Sequence, residues 1–382
     1  MKILTVIGAR PQIIKASALS RAIQNGYSNK IEEVIVHTGQ HYDASMSGIF
    51  FSELQIPKEK YNLNTGSLSH GKQTARMIEG IEDIILSERP DALVIYGDTN
   101  STLAGAVAAS KLLIPVIHIE AGLRSFDKTM PEEINRILSD NVSTLLFTPT
   151  QTGYNNLISE GFPSEICKKP DFNHPNIYHC GDIMLDNTLY FRNIALNNTE
   201  YKKKYGDNFI LCTVHRNTNT DNAEKLSNIF LSLLETAKMQ KIIMPLHPRT
   251  KKMAEQLLPA DLQKAIRNNP NIIITDPVGY LEMIYLESMS SFVITDSGGV
   301  QKEAYFLGKP CIILRPQTEW VEIVDAGAAI ITDTDKEKIV QSAKLFSDES
   351  VRNKIRTQCL DSKLFGNGKT AEFICKTITE CL

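Results

Sequence analysis

The segment Thr295-Asp296-Ser297-Gly298-Gly299-Val300-Gln301-Lys302-Glu303 follows the apolar run Phe292-Val293-Ile294 and leads into a periodic stretch ending at Leu307-Gly308-Lys309-Pro310. The pattern predicts a strand, a tight turn and a helix. Ser297 stands at the N-cap, where a hydroxyl accepts a backbone N–H. Gly298 and Gly299 let a ligand approach backbone N–H groups closely, and a helix N-terminus is a ready anion site. Glu303 follows on the same helix, where a carboxylate can accept from sugar hydroxyls. The chemistry implied is the binding of a phosphorylated, nucleotide-linked sugar.

Further polar clusters directly follow apolar runs. In Gly8-Ala9-Arg10-Pro11-Gln12-Ile13-Ile14-Lys15, Pro11 suits a first helical turn, and Arg10 and Lys15 flank a helix N-terminus suited to an anion; they read also as a solvated cation pair. This turn lacks the G-x-G-x-x-G spacing of dinucleotide sites, so no nicotinamide cofactor is expected. Asp98, in Tyr96-Gly97-Asp98-Thr99-Asn100-Ser101-Thr102, is a candidate catalytic carboxylate or a cap for the next helix. Glu120, in His118-Ile119-Glu120-Ala121-Gly122-Leu123-Arg124, closely follows an apolar run, where a carboxylate is costly unless paired or working. Glu132 and Glu133 open a helix in Met130-Pro131-Glu132-Glu133-Ile134-Asn135-Arg136, and Glu133 reads as a first-turn acid that suits the helix dipole. His215, in Thr213-Val214-His215-Arg216-Asn217, titrates near neutrality and can serve as acid, base or phosphate donor. His247 is a weaker candidate of the same kind. Together these residues suit a reaction at a sugar carbon next to a diphosphate leaving group.

The elements that must position them alternate. Strands are predicted at Ile3–Ile7, Glu33–His37, Ala92–Tyr96, Val116–Ile119 and Leu145–Pro149, and again at Phe209–Val214, Lys241–Leu246, Ile272–Ile274, Phe292–Thr295 and Cys311–Leu314. Helical patterns separate them, and Gly161–His179, with three prolines, reads as a loop or linker. The fold class expected is α/β, two Rossmann-like doubly wound domains facing across a cleft that holds one ligand. The domains expected are residues 1–180, joined by the C-terminal helix 366–382, and residues 181–365.

The bulk properties exclude several classes. With 382 residues the chain exceeds what one core usually serves. A net charge of −3 without a long basic run argues against a nucleic-acid partner. Seven scattered cysteines form no C-x-x-C pair, so neither a metal site nor a redox motif is expected, and a reduced, cytoplasmic setting is. Met1–Ile7 does not read as a secretory signal, and no apolar run is long enough to span a bilayer.

Taken in order, the motifs G-A-R-P-Q-x-x-K, G-D-T-N-S-T, H-I-E-A-G-L-R, P-E-E-I-N-R, V-H-R and T-D-S-G-G-x-Q-x-E resemble, end to end, those of the non-hydrolysing UDP-N-acetylglucosamine 2-epimerases. The resemblance implies a glycosyltransferase-B-type fold, a homodimer, and interconversion of UDP-N-acetylglucosamine and UDP-N-acetylmannosamine for surface polysaccharide precursors. It implies that Asp98, Glu120 and Glu132 are the catalytic carboxylates and that His215 is an active-site histidine near the diphosphate. It places Arg10 on the diphosphate side of a basic pair with Lys15, makes Arg136 the arginine after P-E-E, and counts Lys15 and Arg136 among the residues that bind the UDP-sugar. Ser297, Gly298 and Gly299 become the phosphate-binding turn and Glu303 the ribose-binding carboxylate. Met283 stands where an aromatic often lies by the uracil. Other departures are Ala9 and Gln12 for Thr and Glu, Trp320 for an arginine, and a short loop between Arg124 and Pro131. The segments His215-Arg216-Asn217-Thr218-Asn219 and His247-Pro248-Arg249-Thr250 depart from those tied to allosteric UDP-N-acetylglucosamine, and leave room for a related UDP-amino sugar.

The mechanism so implied is elimination and re-addition. UDP leaves C1, C2 loses its proton, a glycal remains, and UDP returns while a proton arrives on the opposite face. Basic groups must stabilise the departing diphosphate, and two acid–base groups must flank C2. No redox step and no cofactor is required. The rivals are a hydrolysing 2-epimerase, a glycosyltransferase of the same fold, and a nucleotide-sugar sensor without catalysis; the clustered carboxylates argue against the last two.

Overall fold

Strands buried on both faces read as continuous apolar runs, which is the signature of a parallel sheet covered by helices on each side. The computed structural model describes residues 1–40, 53–66 and 68–382. The first sheet is built from β1 (Lys2–Ile7), β2 (Glu32–His37), β3 (Tyr61–Asn62), β4 (Ala92–Tyr96), β5 (Val116–Ile119), β6 (Leu145–Thr148) and β7 (Asn176–His179). The second holds β8 (Phe209–Thr213), β9 (Ile242–Pro245), β10 (Ile272–Thr275), β11 (Ser290–Thr295), β12 (Cys311–Ile313) and β13 (Ala329–Ile331). Every pairing among them is parallel, so the expected α/β class holds.

Contacts divide the chain into two compact units, Met1–Asn187 with Leu364–Leu382, and Thr188–Lys363. In the first unit the strand order is β3-β2-β1-β4-β5-β6-β7, and in the second β10-β9-β8-β11-β12-β13. Both are doubly wound, with the order reversing between β1 and β4 and between β8 and β11. Leu4, Val6, Leu93 and Ile95 pack against Ala104 and Ala108 of the helix Asn100–Lys111 in the first core. The C-terminal helix Thr370–Cys381 belongs to this unit: Asp186 accepts its Thr370 and Ala371 N–H groups at 3.1 and 2.8 Å, and Phe373 meets Phe147 edge-on.

Several elements differ from the expectation. The segment read as a loop, Gly161–His179, ends in β7. Asn176 there is fully buried, and its side chain exchanges hydrogen bonds with the Cys167 backbone at 2.7 and 2.8 Å. A satisfied polar residue thus opens a strand that composition presents as irregular. The strands β3 and β13 span two and three residues, too few for a periodicity to appear. The helix Glu349–Asp361 was not anticipated because only Ile355 and Cys359 are buried along it.

Candidate active site

In doubly wound sheets a ligand sits beyond the carboxyl ends of the strands where the order reverses. In the first unit that rule points to the segments after β1 and β4, and in the second to those after β8 and β11. The polar clusters of the sequence occupy all four.

After β1 the helix Arg10–Ala22 begins with Arg10 exposed and Pro11 in its first turn. Gln12 is buried and has every polar contact met. Its carbonyl accepts the N–H of Gly8 (2.9 Å) and Ala9 (3.2 Å), while its amide donates to Tyr96 O (2.9 Å) and Thr102 Oγ1 (3.0 Å). A glutamate could not make the two donations, so this residue ties the turn after β1 to the turn after β4. Lys15 is buried rather than solvated and forms an ion pair with Glu120.

Glu120 follows β5 with φ of +70°, a left-handed conformation that is uncommon for a non-glycine residue and costs on the order of 1–3 kcal/mol. Its backbone is held there because the N–H groups of Glu120 and Ala121 both donate to Phe147 O, at 3.1 and 3.0 Å. The carboxylate is thereby turned toward the end of β4. Gly97, itself at φ +60°, makes room for it: a Cβ there would stand 3.0 Å from Glu120 Oε2 and 3.3 Å from Lys15 Nζ.

Asp98 does not cap the following helix; Thr99 does, accepting the Thr102 N–H at 3.3 Å. Asp98 instead accepts Arg136 Nη2 at 2.6 Å, and its backbone carbonyl accepts Asn135 Nδ2 at 2.9 Å. Burial pushes its carboxyl above the usual aspartate range; Glu120 and Glu132 push the same way, while Arg136 and Lys15 oppose. The two adjacent glutamates divide sharply. Glu133 is buried and accepts the Ser125 and Phe126 N–H groups, both at 2.9 Å, and Arg136 Nη1 at 2.8 Å. Burial works to raise its carboxyl, but these donors hold it below the ordinary value. Glu132 is exposed and lines a polar cavity of about 400 Å³ together with Asp98, Gln40, His70, Asn100 and Asn135.

Beneath these groups lies a network that the sequence reading did not single out. His118 Nδ1 is 2.7 Å from Asp140 Oδ1, and its Nε2 is 2.8 Å from Gly97 O. Asp140 also accepts Arg124 Nη1 at 2.7 Å, and Arg124 makes a two-pronged pair with Glu160. Burial acts to raise Asp140, yet His118 and Arg124 keep it below the usual range. A histidine two residues before Glu120, inside an apolar strand, was the available signal.

In the second unit Asp296 organises the site. It is fully buried and accepts the backbone N–H of His215 (3.0 Å) and Arg216 (3.0 Å) and Asn219 Nδ2 (3.1 Å). The loop after β8 is thus tied to the end of β11. Ser297 caps the helix Gly298–Phe306, accepting the Val300 N–H at 3.5 Å. The N–H groups of Gly298 and Gly299 have no intrahelical acceptor, as in any first turn. Neither glycine has a left-handed backbone, and a Cβ on Gly298 would meet nothing closer than Trp320 Nε1 at 3.6 Å. The fold itself therefore does not demand glycine at position 298. Trp320 is buried, with Lys302 Nζ 4.0 Å from its ring centre. A cation not foreseen, Arg315, lies within 4 Å of the Gly298 Cβ position and is paired with Glu319 at 2.8 Å. Glu303 is buried on this helix, and Met283 is half-buried on the helix Tyr280–Met289. The structure thus groups Lys15, Asp98, Glu120, Glu132 and Arg136 in the first unit, and His215 and Ser297–Gly299 in the second. Among the described residues, no group of three or more His, Cys, Asp or Glu has the arrangement to hold a metal, and no helix is long and apolar enough to cross a membrane.

Comparison with known proteins gives a consistent outcome. Residues 24–379 match the family model described as UDP-N-acetylglucosamine 2-epimerase. The chain is 46% identical over 382 residues, all of both chains, to a UDP-2,3-diacetamido-2,3-dideoxy-D-glucuronate 2-epimerase of Pseudomonas aeruginosa. It is 49% identical to a UDP-N-acetylglucosamine 2-epimerase homolog of Methanococcus maripaludis, over 92% of this chain and 94% of that one. The crystal structure of the Methanocaldococcus jannaschii UDP-GlcNAc 2-epimerase in complex with UDP-GlcNAc and UDP superposes with a TM-score of 0.83 at 42% identity, covering 99% of each chain.

Proposed function

This chain belongs to the UDP-N-acetylglucosamine 2-epimerase family, and we propose that it inverts C2 of a UDP-linked 2-acetamido sugar by eliminating and re-adding UDP. The C1–O bond breaks with its electron pair leaving on UDP, C2 loses a proton, and a C1=C2 double bond forms. UDP then returns to C1 while a proton is delivered to the other face of C2. Electrons and atoms balance without an oxidant. The reading rests above all on Asp98 and Glu120, carboxylates at the ends of adjacent strands. Each is ion-paired, Glu120 with Lys15 and Asp98 with Arg136, and burial with the neighbouring carboxylates pushes Asp98 up against that pairing. Two acid–base groups side by side are what a two-faced proton transfer requires. Glu132 is assigned to the same set.

Arg10, His215, Ser297, Gly298 and Gly299 are assigned to the diphosphate, Arg136 and Lys15 to holding the carboxylates, Glu303 to the ribose and Met283 to the uracil. The substrate assigned is UDP-N-acetylglucosamine, with UDP-N-acetylmannosamine as product, supplying surface polysaccharide precursors in the cytoplasm. The full-length likeness to a diacetamido-glucuronate 2-epimerase favours a second reading, in which the C2 chemistry is the same and the sugar carries a second acetamido group and a carboxylate. A homodimer is also proposed; the apolar Ile134 and Leu138, one turn apart and exposed, suit a partner surface, and light scattering tests it.

The deciding experiment incubates the protein in D2O, in chelated and NAD-free buffer, with each of the two UDP sugars, and follows products by NMR. Epimer formation with deuterium at C2 is expected. Release of free sugar in step with UDP would make the enzyme a hydrolysing one, retention of the original hydrogen would point to internal transfer or to oxidation at another carbon, and inertness toward both sugars would leave a binding protein.

A further inference from the structure

His118 belongs to β5, whose other residues Val116, Ile117 and Ile119 are apolar, and it has no exposed surface. A polar ring in that place is costly unless its polar atoms are met. Both nitrogens are met, and by groups that only accept: Nδ1 lies 2.7 Å from Asp140 Oδ1, and Nε2 lies 2.8 Å from Gly97 O. Asp140 is held as a carboxylate by donors on its other oxygen, Arg124 Nη1 at 2.7 Å and the Gly122 N–H at 3.2 Å. A neutral imidazole donates from one nitrogen and keeps a lone pair on the other. Turned toward either partner, that lone pair would face an acceptor, so each nitrogen carries a proton. The charges then alternate along a chain: the imidazolium, Asp140, Arg124, and Glu160, which accepts two bonds from Arg124 at 2.7 Å each.

The ring joins three segments, and each of them carries one of the carboxylates assigned to C2. Gly97 O belongs to the peptide bond that leads into Asp98. The Gly97 N–H in turn donates to Ile119 O at 3.0 Å, so β5 grips this turn by both of its polar groups. His118 itself stands two residues before Glu120, and Asp140 holds the N–H of Gly122 two residues after it. Asp140 also lies at the end of the helix Pro131–Asn141, whose first turn holds Glu132. Gly97 at φ +60° and Glu120 at φ +70° leave their strands through left-handed turns, a backbone that persists at a non-glycine residue only where surrounding contacts impose it.

We propose that His118 is a positioning residue for the proton transfers at C2: bound as an imidazolium between Asp140 and the Gly97 carbonyl, it sets the spacing of Asp98, Glu120 and Glu132 from beneath, out of reach of the sugar. The inference rests on the assignment of those three carboxylates to the reaction. A shift of about 1 Å in a reacting group can cost about a hundredfold in rate. A ring that served folding alone would lower the folded fraction and leave each folded molecule fully active.

The test compares His118→Phe, which keeps a ring and loses both donations, with the double variant His118→Gln/Asp140→Asn. In the double variant the carboxamide at 118 donates to Gly97 O and accepts from the one at 140, whose oxygen remains an acceptor for Arg124 and Gly122. The kcat for epimerisation is measured per UDP-binding site, counted by calorimetry, so that misfolded protein does not enter. His118→Phe should lose about a hundredfold in kcat per site while its UDP affinity changes by less than about twofold, and the double variant should recover most of that loss. Independently of turnover, nitrogen NMR of the histidine-labelled wild type at neutral pH should show one slowly exchanging imidazole with both nitrogens protonated, which both variants lack; this readout remains should His118→Phe fail to fold. Wild-type kcat per site in His118→Phe, a double variant as slow as His118→Phe, or a wild type without that doubly protonated ring would overturn the proposal. Inertness of the wild type toward both UDP sugars would overturn it together with the carboxylate assignment beneath it, and is told apart because it needs no variant.

Discussion

The imidazole Nδ1 of His215 stands 3.2 Å from Oδ1 of Asp296, a carboxylate wholly out of solvent that also accepts the backbone N–H of His215 itself. The ring is thereby fixed with its Nδ1 proton toward Asp296, and Nε2 is left as the site where a further proton comes and goes. Partial desolvation by the surrounding protein, assisted by Arg216 and His247, holds the half-exposed His215 below the ordinary histidine value of 6.5 despite the attraction of Asp296. A bound diphosphate favours the charged ring and raises that value. UDP affinity should therefore be highest below the free-protein value and fall as pH rises from there to the higher, bound-state value. Calorimetry across pH on wild type and His215→Ala isolates this effect, since the titration of UDP is common to both. His215→Ala should weaken UDP by roughly 1.5–3 kcal/mol at low pH, with turnover falling further than affinity.

Neighbouring glutamates should separate by function. Glu132→Gln should keep the melting temperature, and it, Asp98→Asn and Glu120→Gln should each lose about a hundredfold or more in rate; Glu120→Gln also leaves the buried Lys15 without its carboxylate and should lower the melting temperature. Glu133→Ala should instead destabilise the fold by roughly 3 kcal/mol, because Arg136 and the Ser125 and Phe126 N–H groups lose their buried acceptor. Urea unfolding and epimerisation rates on the four variants check both halves. A stable Glu133→Ala of normal activity would refute the division.

Gly298→Ala should fold normally, because the added Cβ meets nothing within 3.6 Å and no left-handed backbone is involved. UDP should nevertheless bind more weakly, since the methyl group occupies the approach to the first-turn N–H groups. Gly298→Val should weaken it more. Unchanged UDP affinity in both, measured by calorimetry, would remove the diphosphate from this turn.

Asp186, which ties down the helix Thr370–Cys381, is raised from 3.8 to about 6, chiefly by burial. The folded state then binds a proton that the unfolded chain releases, so stability from this group is full below the unfolded value and is lost as pH climbs from about 4 to about 6. A displacement of that size is worth roughly 3 kcal/mol. Asp186→Asn should flatten the corresponding part of the stability–pH curve in urea melts.

Much of the architecture was legible because strands buried on both faces must be apolar throughout, and helices between them must carry one apolar stripe. Hence Ala92–Tyr96 and Val116–Ile119 fall where the apolar runs put them. β7 was not legible, because its backbone pairing with β6 is a tertiary contact and its first residue, Asn176, is a buried polar group satisfied by side-chain hydrogen bonds to Cys167, nine positions earlier.

The sequence by itself determined which side chains follow the strand ends, for that depends only on local order along the chain. It offered Lys15 as an anion-binding or a solvated cation, Asp98 as a catalytic carboxylate or a cap, and Glu133 as a first-turn acid beside the candidate Glu132. Only the tertiary structure decided that Lys15 pairs with Glu120, that Thr99 does the capping, and that Glu133 is a buried anchor while Glu132 faces a cavity. It alone set Glu120 at φ +70° and joined Asp296 to His215. The physical reason is that charge state, strain and burial depend on neighbours brought from other strands, and no spacing along one segment encodes which neighbours those are.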